Sequence, residues 1–541
     1  MALMKLNRWR ITLCLVCAIL PTLILLQFDA PSLANSLHSF TLPFISTTDP
    51  SFGHSLGSSS SNLSSTITKP LHEEQVLQPI VNNNVTYPRI LFNRTHSHYA
   101  ALAQQQLARL KANESKVLSE SMEWNKDQLQ SLIAYLSEAE VNPDYVPPRV
   151  VLTSWHWVPC AYGGCTTGEV QWIRPLIRIM KKHKIFYLFS FWEHFVKDFK
   201  LLGDDLITHT WVDDEHLVWC FVNTEDCLRS ATNPDGVPPW KLFAFTFWGS
   251  KPNSDKWLSG SEPWSFNPLG SEWNLVPYQM PEKQYFLGYH YQGCQTLRAI
   301  PYSERDNRVV VLAKLSNYYH NFPAFDPKTF YYNLQQHTGF DIISNANKEE
   351  GYPVPDGLRS VGLVPPDEYD RLLANAKALL GIGKPIISPT PYASLCRGVP
   401  VILPYNGRYV MKHNNKTCGP TPAPDDWCGF IEDTHQHGPA SAIGPPYVYT
   451  VDVNAPQEEI LKVIDTAIKT HIEPFEAPEM RYQVVEARVL DYFAIDWQFY
   501  AEEKLRSESN FSEIKQPLVL PDFLERWAKS HDDPSLKKSP S

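Results

Sequence analysis

No Asp-x-Asp triplet occurs anywhere in this 541-residue chain, and no Cys-x-x-Cys pair occurs outside its apolar run from Ile11 to Phe28. The first absence removes a common acidic clamp for a divalent cation on a diphosphate. The second, with no matching His spacing, removes the usual structural zinc sites. A basic excess is missing too, since 48 Lys and Arg face 58 Asp and Glu for a net charge of −10. That balance argues against a nucleic-acid partner, which needs a basic face to neutralise phosphates.

What is present points to a large, core-forming chain. The hydrophobic share of 43% suffices for two or three domains. Aromatics reach 12%, with 16 Trp. Flat rings suit the apolar face of a sugar, although any single Trp is more often core.

Lys5, Arg8 and Arg10 precede an uncharged run from Ile11 to Phe28, near the ~20 residues that span a bilayer. The reading is a cytosolic tail and transmembrane anchor over 1–28, with the positive flank cytosolic and the rest lumenal. Ser32-Leu33-Ala34 leaves a cleaved signal peptide as the alternative. Of the 10 cysteines, Cys14 and Cys17 fall in that run; the other eight suggest disulfides in an oxidising compartment. Cys160/Cys165, Cys220/Cys227 and Cys418/Cys428 are spaced as local staples, while Cys294 and Cys396 either pair over a long distance or stay free. N-x-S/T sites at Asn62, Asn84, Asn93, Asn113, Asn415 and Asn510 concentrate early in the chain.

A Ser-, Thr- and Asn-rich stretch over 29–88 is expected to be a disordered stem. Leucines from Leu102 to Leu136 recur at helical spacing, giving a helical segment over 89–148 that Pro147-Pro148 closes. From Arg149 a strand, a Gly loop, a helix to Lys182 and a strand at Ile185–Phe189 form a βαβ unit. The stretch from Asn233 to Cys294, rich in Trp, Pro and Gly, reads as ordered loops. The pattern restarts at Arg308, with strands expected at Val309–Ala313, Phe340–Ile343, Leu379–Ile382 and Val399–Leu403. The fold class is α/β: two Rossmann-like domains facing a cleft, over 149–305 and 306–475, then C-terminal helices and tail over 476–541. In such folds a ligand sits at the carboxyl ends of the strands.

Two places there can carry chemistry. In the block Gly381–Gly398, a strand ends in a Gly loop, Thr390 can cap a helix, Pro391 suits its first turn and Gly398 lies just past its end. The N–H groups of that helix start would take a diphosphate. Glu169, in Gly168-Glu169-Val170-Gln171-Trp172, follows the first Gly loop, where a carboxylate can deprotonate a hydroxyl. Without an acidic cation clamp, leaving-group charge falls to N–H groups and basic side chains. Lys314 is best placed, with Arg408 and Lys412 behind it.

These residues resemble glycosyltransferase family 18. Gly168–Trp172 is similar to the family's G-E-L-V-Q-W with one residue fewer. Pro268–Leu275, including Trp273 and Asn274, followed by Phe286-Leu287-Gly288, is similar to P-W-G-K-W-N-L and F-L-G. Tyr447–Asp452 and Ile472–Phe475 resemble H-V-W-T-V-D and I-E-P-Y. The resemblance implies a two-Rossmann (GT-B type), inverting, metal-independent transferase without cofactor. Such an enzyme moves N-acetylglucosamine from UDP-GlcNAc to a mannose of an N-glycan in β1,6 linkage, from a Golgi membrane site with its catalytic region in the lumen. Its implied partners are a nucleotide-sugar donor, a glycan or glycoprotein acceptor, and the membrane through the anchor.

The resemblance puts the catalytic base at Glu169; the donor is expected against Lys314, Ser388, Thr390, Pro391, Tyr392, Ala393, Ser394 and Lys412. Trp172, Trp273 and Asn274 are expected on the acceptor. One departure stands out. Where the family's animal members read P-L-E-A, with the Glu on the donor ribose, this chain has Pro391-Tyr392-Ala393-Ser394. Ser394 could compensate. The family's basic residue before S-Q-H-P also has no counterpart near His435-Gln436-His437. A different sugar or acceptor on the same fold, or a glycan- or nucleotide-binding pseudo-enzyme, remain as alternatives.

Overall fold

Hydrophobic runs too short for buried helices become the strands of two parallel sheets. The computed structural model describes residues 80–507 except 83–84, 166, 223, 231, 250–266, 268, 282, 297–298, 322, 411–414, 424–425 and 431–434. The expected anchor, most of the stem, the tail beyond 507 and Lys412 lie outside the described residues. Among the described residues, no helix is long and apolar enough to cross a membrane. The end of the expected stem is ordered: β1 (Ile80–Asn82) and β2 (Val85–Tyr87) pair antiparallel. Tyr87 is buried against Tyr285, Trp497 and Tyr500, burial that a disordered stem would not have.

The first sheet holds β3 (Arg149–Thr153), β4 (Ile185–Phe189), β5 (His209–Val212), β6 (Leu242–Phe245), β7 (Asn274–Val276) and β8 (Tyr285–Phe286). All are parallel, in the order β4-β3-β5-β6-β7-β8. Three of these strands lie within the stretch read as loops. They are short and buried on both faces, so they carry no alternation to betray them. The second sheet holds β9 (Arg308–Leu312), β10 (Asp341–Ser344), β11 (Arg359–Ser360), β12 (Ala378–Gly381), β13 (Val401–Tyr405) and β14 (Val448–Asp452). Its order is β11-β10-β9-β12-β13-β14, again all parallel.

The chain path fixes where ligands can bind. In the first sheet it runs from β3 outward to β4, then returns across β3 to β5. In the second it runs from β9 to β11, then returns to β12. The crevices over β3/β5 and β9/β12 are therefore the topological switch points, where loops diverge at the carboxyl edge.

The leucine-rich segment forms α1 (His96–Ala112) and α2 (Met122–Ser137), of which α2 packs on β4 and α1 lies against α2. Edge strand β4 is sealed by α2. Asn125 Nδ2 donates to Phe189 O at 2.6 Å, and Phe189 N donates back to Asn125 Oδ1 at 2.7 Å. An uncovered edge would offer those groups to another chain. Next come α3 (Gly168–Lys182), α4 (Trp192–Leu202) and α5 (Asp214–Val222), each following a strand of the first sheet. Thr167 caps α3 by accepting from Val170 N. The second sheet carries α6 (Phe330–Thr338), α7 (Pro366–Ala374), α8 (Thr390–Leu395) and α9 (Gln457–Lys469). The chain then crosses back: α10 (Tyr482–Ala494) and α11 (Trp497–Ser507) close the first sheet. Tyr492 Oη there accepts from Trp211 Nε1 at 3.0 Å, and Lys504 pairs with Glu272 at 2.8 Å.

Four disulfides are formed: Cys160–Cys165, Cys220–Cys227, Cys294–Cys396 and Cys418–Cys428. The long-range pair left open by the sequence is therefore bonded.

Candidate active site

Gly168 is where the two halves meet. A Cβ there would lie 3.1 Å from Pro389 Cδ and 3.2 Å from Phe247 Cζ, so the first turn of α3 abuts the residue just before α8. Glu169 follows on that first turn, half-exposed. Beneath it, Tyr289 Oη reaches Gly168 O at 3.4 Å. Tyr278 stacks on Tyr289 (5.6 Å between ring centres) and on Tyr392 of α8 (5.7 Å), which ties the halves together. Burial first, and then the negative field of Glu169 among other neighbours, pushes the Tyr278 and Tyr289 hydroxyls well above their ordinary range. They therefore stay protonated, as donors. Gly168→Ala should keep the melting temperature within about 2 °C yet lower transfer several-fold, because the added methyl pries α3 from Pro389; paired melting curves and initial rates check this.

On the facing side, the loop between β12 and α8 is held from below. Gln436 Oε1 accepts from Gly383 N at 3.0 Å, and Gln436 Nε2 donates to Pro385 O at 3.1 Å. His437 N donates to Ile386 O (2.7 Å) and Nε2 donates to Ser388 O (2.6 Å), while Nδ1 accepts from Ala440 N (3.3 Å). One nitrogen donating and one accepting makes this imidazole neutral, with its proton on Nε2. Burial pushes its pKa down to about 4. These buttresses, Gln436 and His437, were noted in the sequence only as lacking a basic neighbour. Their spacing alone gives no sign that they hold a loop 50 residues away.

His437 links pH to stability. Its folded pKa of about 4 lies below the ordinary 6.5, so at acid pH the unfolded chain takes up the proton first. Its contribution is complete above about pH 6.5 and drains away towards pH 4, by roughly 3 kcal/mol at most. Wild type should therefore lose more unfolding free energy between pH 7.5 and 5 than His437→Gln, measured by denaturant titration at both values.

The sequence-based site residues fare unequally. Lys314, just past β9, is exposed at the carboxyl edge beside the β9/β12 crevice, opposite the β12–α8 loop. Ser388 Oγ accepts from Thr390 N at 3.2 Å and donates to Thr390 Oγ1 at 3.0 Å, so Ser388 ties down the helix start. Thr390 is the first helical residue, not the cap, and is half-buried at the loop. Gly398 does lie past the helix end with φ of 71°, where a Cβ would strike Ile472 O. With six residues, α8 has a small dipole, and any diphosphate there relies on loop N–H groups and Lys314.

Other calls need correction. Pro391, Tyr392, Ala393 and Ser394 are buried, so their side chains face the core and not a donor. The Ser394 hydroxyl is spent on Val399 O at 3.0 Å and cannot replace a ribose carboxylate. Trp172 is fully buried, stacked on Phe245 at 4.0 Å with Nε1 donating to Gly288 O. Trp273 is fully buried and donates to Trp240 O, and Asn274 is buried beside it. None of the three can touch an acceptor; the family-like motifs there build the first sheet. Arg408 is exposed in the loop after β13, its backbone N–H bonded to Asn406 Oδ1.

Comparison with known proteins bears on the second half above all. The family model "Glycosyltransferase family 18" matches residues 265–506. Alpha-1,6-mannosylglycoprotein 6-beta-N-acetylglucosaminyltransferase A of Homo sapiens is 25% identical over 217 residues, 38% of this chain and 27% of its own length. The Mus musculus protein of the same name matches to the same extent. The match thus spans about a quarter of the length of these curated relatives. Among solved structures, Methanocaldococcus jannaschii UDP-GlcNAc 2-epimerase in complex with UDP-GlcNAc and UDP aligns at TM-score 0.32 and 10% identity, covering 64% of this chain and 99% of that one. Anabaena Alr3699/HepE in complex with UDP-glucose aligns at 0.35 and 10%, covering 67% and 99%. Glu169 lies upstream of the family match, so its case rests on geometry. The resemblance carried by the ordered motifs names the same family as the comparison: residues 265–506 bear the glycosyltransferase family 18 sequence pattern.

Proposed function

We propose that this chain is an inverting glycosyltransferase that moves N-acetylglucosamine from UDP-GlcNAc to a mannose hydroxyl of an N-glycan, forming a β1,6 linkage. One observation carries the reading: the first turn of α3, with a half-exposed carboxylate at Glu169, abuts the Gly loop of the opposite domain through Gly168 and Pro389. Glu169 takes the proton of the acceptor hydroxyl as its oxygen attacks the anomeric carbon, and the bond to UDP breaks with the electron pair leaving on the diphosphate. Lys314 and the backbone N–H groups of Ile386 to Ser388, inside the β12–α8 loop, take up that charge. The tyrosines under Glu169 keep water from that side. The names of the matched relatives support the sugar and the linkage.

In this reading the enzyme works without a metal, and the chain is a type II protein of the Golgi membrane. The lack of an acidic triplet supports the first, and the apolar run from Ile11 to Phe28 the second. The test is UDP release by the purified chain across UDP- and GDP-sugars, with a mannose-terminated N-glycan, with and without EDTA. Turnover with UDP-GlcNAc that EDTA leaves intact is expected. Preference for another sugar would move the assignment to a different donor, which the missing ribose carboxylate at Ala393 allows. Nucleotide binding without turnover would reduce the chain to a pseudo-enzyme.

A further inference from the structure

Outside the groups used so far, one cluster stands at the other switch point. His156 follows β3 and Asp213 follows β5, so the pair bridges the β3/β5 crevice on the same carboxyl edge as Glu169. The imidazole Nδ1 lies 3.0 Å from Asp213 Oδ2 and 3.1 Å from Oδ1, and His156 N donates to Oδ2 at 3.3 Å. Asp213 is also approached by His216 Nδ1 at 3.6 Å. His216 lies flat on Trp192 (3.9 Å, 3°), and Trp219, 38% exposed, stands edge-on to the same ring at 5.2 Å. Trp157 flanks His156 at 4.9 Å. The carboxylate fixes Nδ1 as a donor and turns Nε2 outward.

The exposure of His156 argues against a purely structural purpose. Its side chain is 62% exposed, and ion pairs so placed contribute little to stability. What such a pair does supply is orientation: Nδ1 and the backbone N–H of His156 sit on one carboxylate, which leaves Nε2 on the side of the ring away from Asp213. The hydrogen bond that the imidazole donates to Asp213, and more weakly the charge of Glu169, favours the protonated imidazole. Around it stand Asp213, Asp214 and Glu215, with Asp214 raised to about 7 by burial and by its acidic neighbours. A crevice with the His156 donor, the exposed indole of Trp219 and several carboxylates close by suits an uncharged sugar and disfavours a carboxylated one.

We propose that His156, oriented by Asp213 across the β3/β5 crevice, is an acceptor-positioning and specificity residue. Its Nε2 binds a hydroxyl of a neutral hexose, and the exposed indole of Trp219 covers that sugar's apolar face. This rests on the glycosyltransferase reading above and deepens it. The experiment is steady-state transfer by the full chain with UDP-GlcNAc and a mannose-terminated N-glycan, for wild type, His156→Ala, His156→Gln and Trp219→Ala. Melting curves and slow UDP release without acceptor are recorded beside it.

The expected result is an acceptor KM raised about tenfold or more in His156→Ala, partly restored in His156→Gln, and raised in Trp219→Ala. Donor KM, acceptor-free UDP release and melting temperature stay unchanged. A sialic-acid-capped glycan should be a poor acceptor for wild type. Acceptor KM within twofold of wild type in His156→Ala overturns the inference while leaving the transferase reading intact. If wild type transfers nothing, that reading fails, and ligand-observed NMR with the same glycan decides this one. Glycan signals lost in His156→Ala uphold it; signals equal in both proteins, or absent from both, overturn it.

Discussion

Glu169→Gln is expected to cut transfer by about 10²- to 10⁴-fold while the melting temperature stays put. The amide keeps the size and shape of the carboxylate but cannot hold the proton that the acceptor hydroxyl must lose. Folding has little to lose, because Glu169 is half-exposed on the first turn of α3. Its favourable position at a helix N-terminus contributes at most about 1 kcal/mol. The measurement is UDP release with and without acceptor, next to thermal melting. A variant that transfers within threefold of wild type would remove Glu169 from the chemistry, whatever the motif around it resembles. A variant that melts far lower would show that the residue holds the fold instead.

Replacing Cys294 and Cys396 together by Ser is expected to lower unfolding free energy by about 4 to 5 kcal/mol. Their bond closes a loop with a sequence separation of 102, and the entropy it withholds from the unfolded chain grows with that length. The bond across a separation of 5, Cys160–Cys165, should be worth only about 2 kcal/mol by the same reasoning. The long bond also anchors the Gly293–Thr296 turn, on the way from β8 to β9, to the end of α8. Denaturant titration of both double variants checks the ranking. Equal losses would mean that local strain or contacts, and not loop length, set the effect.

Both halves of the architecture were legible where hydrophobic runs were long. Ile185–Phe189 was read to its bounds, and Val309–Ala313 lies one residue from the observed Arg308–Leu312. The strands at Leu242–Phe245, Asn274–Val276 and Tyr285–Phe286 were not, because Trp, Pro and Gly around them mask runs of two to four residues. The site divided in the same way. The place of Glu169 on the first turn of α3 was legible because a strand, a Gly loop and a helix start are local signals. Trp172 was misread because it sits on the same turn of α3 yet points into the sheet, a difference of direction that a motif does not carry. His156 and Asp213 escaped notice altogether. They are 57 residues apart, and only the return of the chain across β3 brings them together.

The return of α10 and α11 to the first sheet also governs how this molecule can be cut. A fragment trimmed to residues 265–506 would keep β7, β8 and both closing helices but discard β3 to β6, splitting one sheet lengthwise. Tyr492 would lose Trp211, and a raw strand edge at β7 would lie open to any passing chain. The stretch most recognisable by sequence is therefore not a unit that can be expressed alone, and a soluble piece has to start ahead of Tyr87 and run through α11.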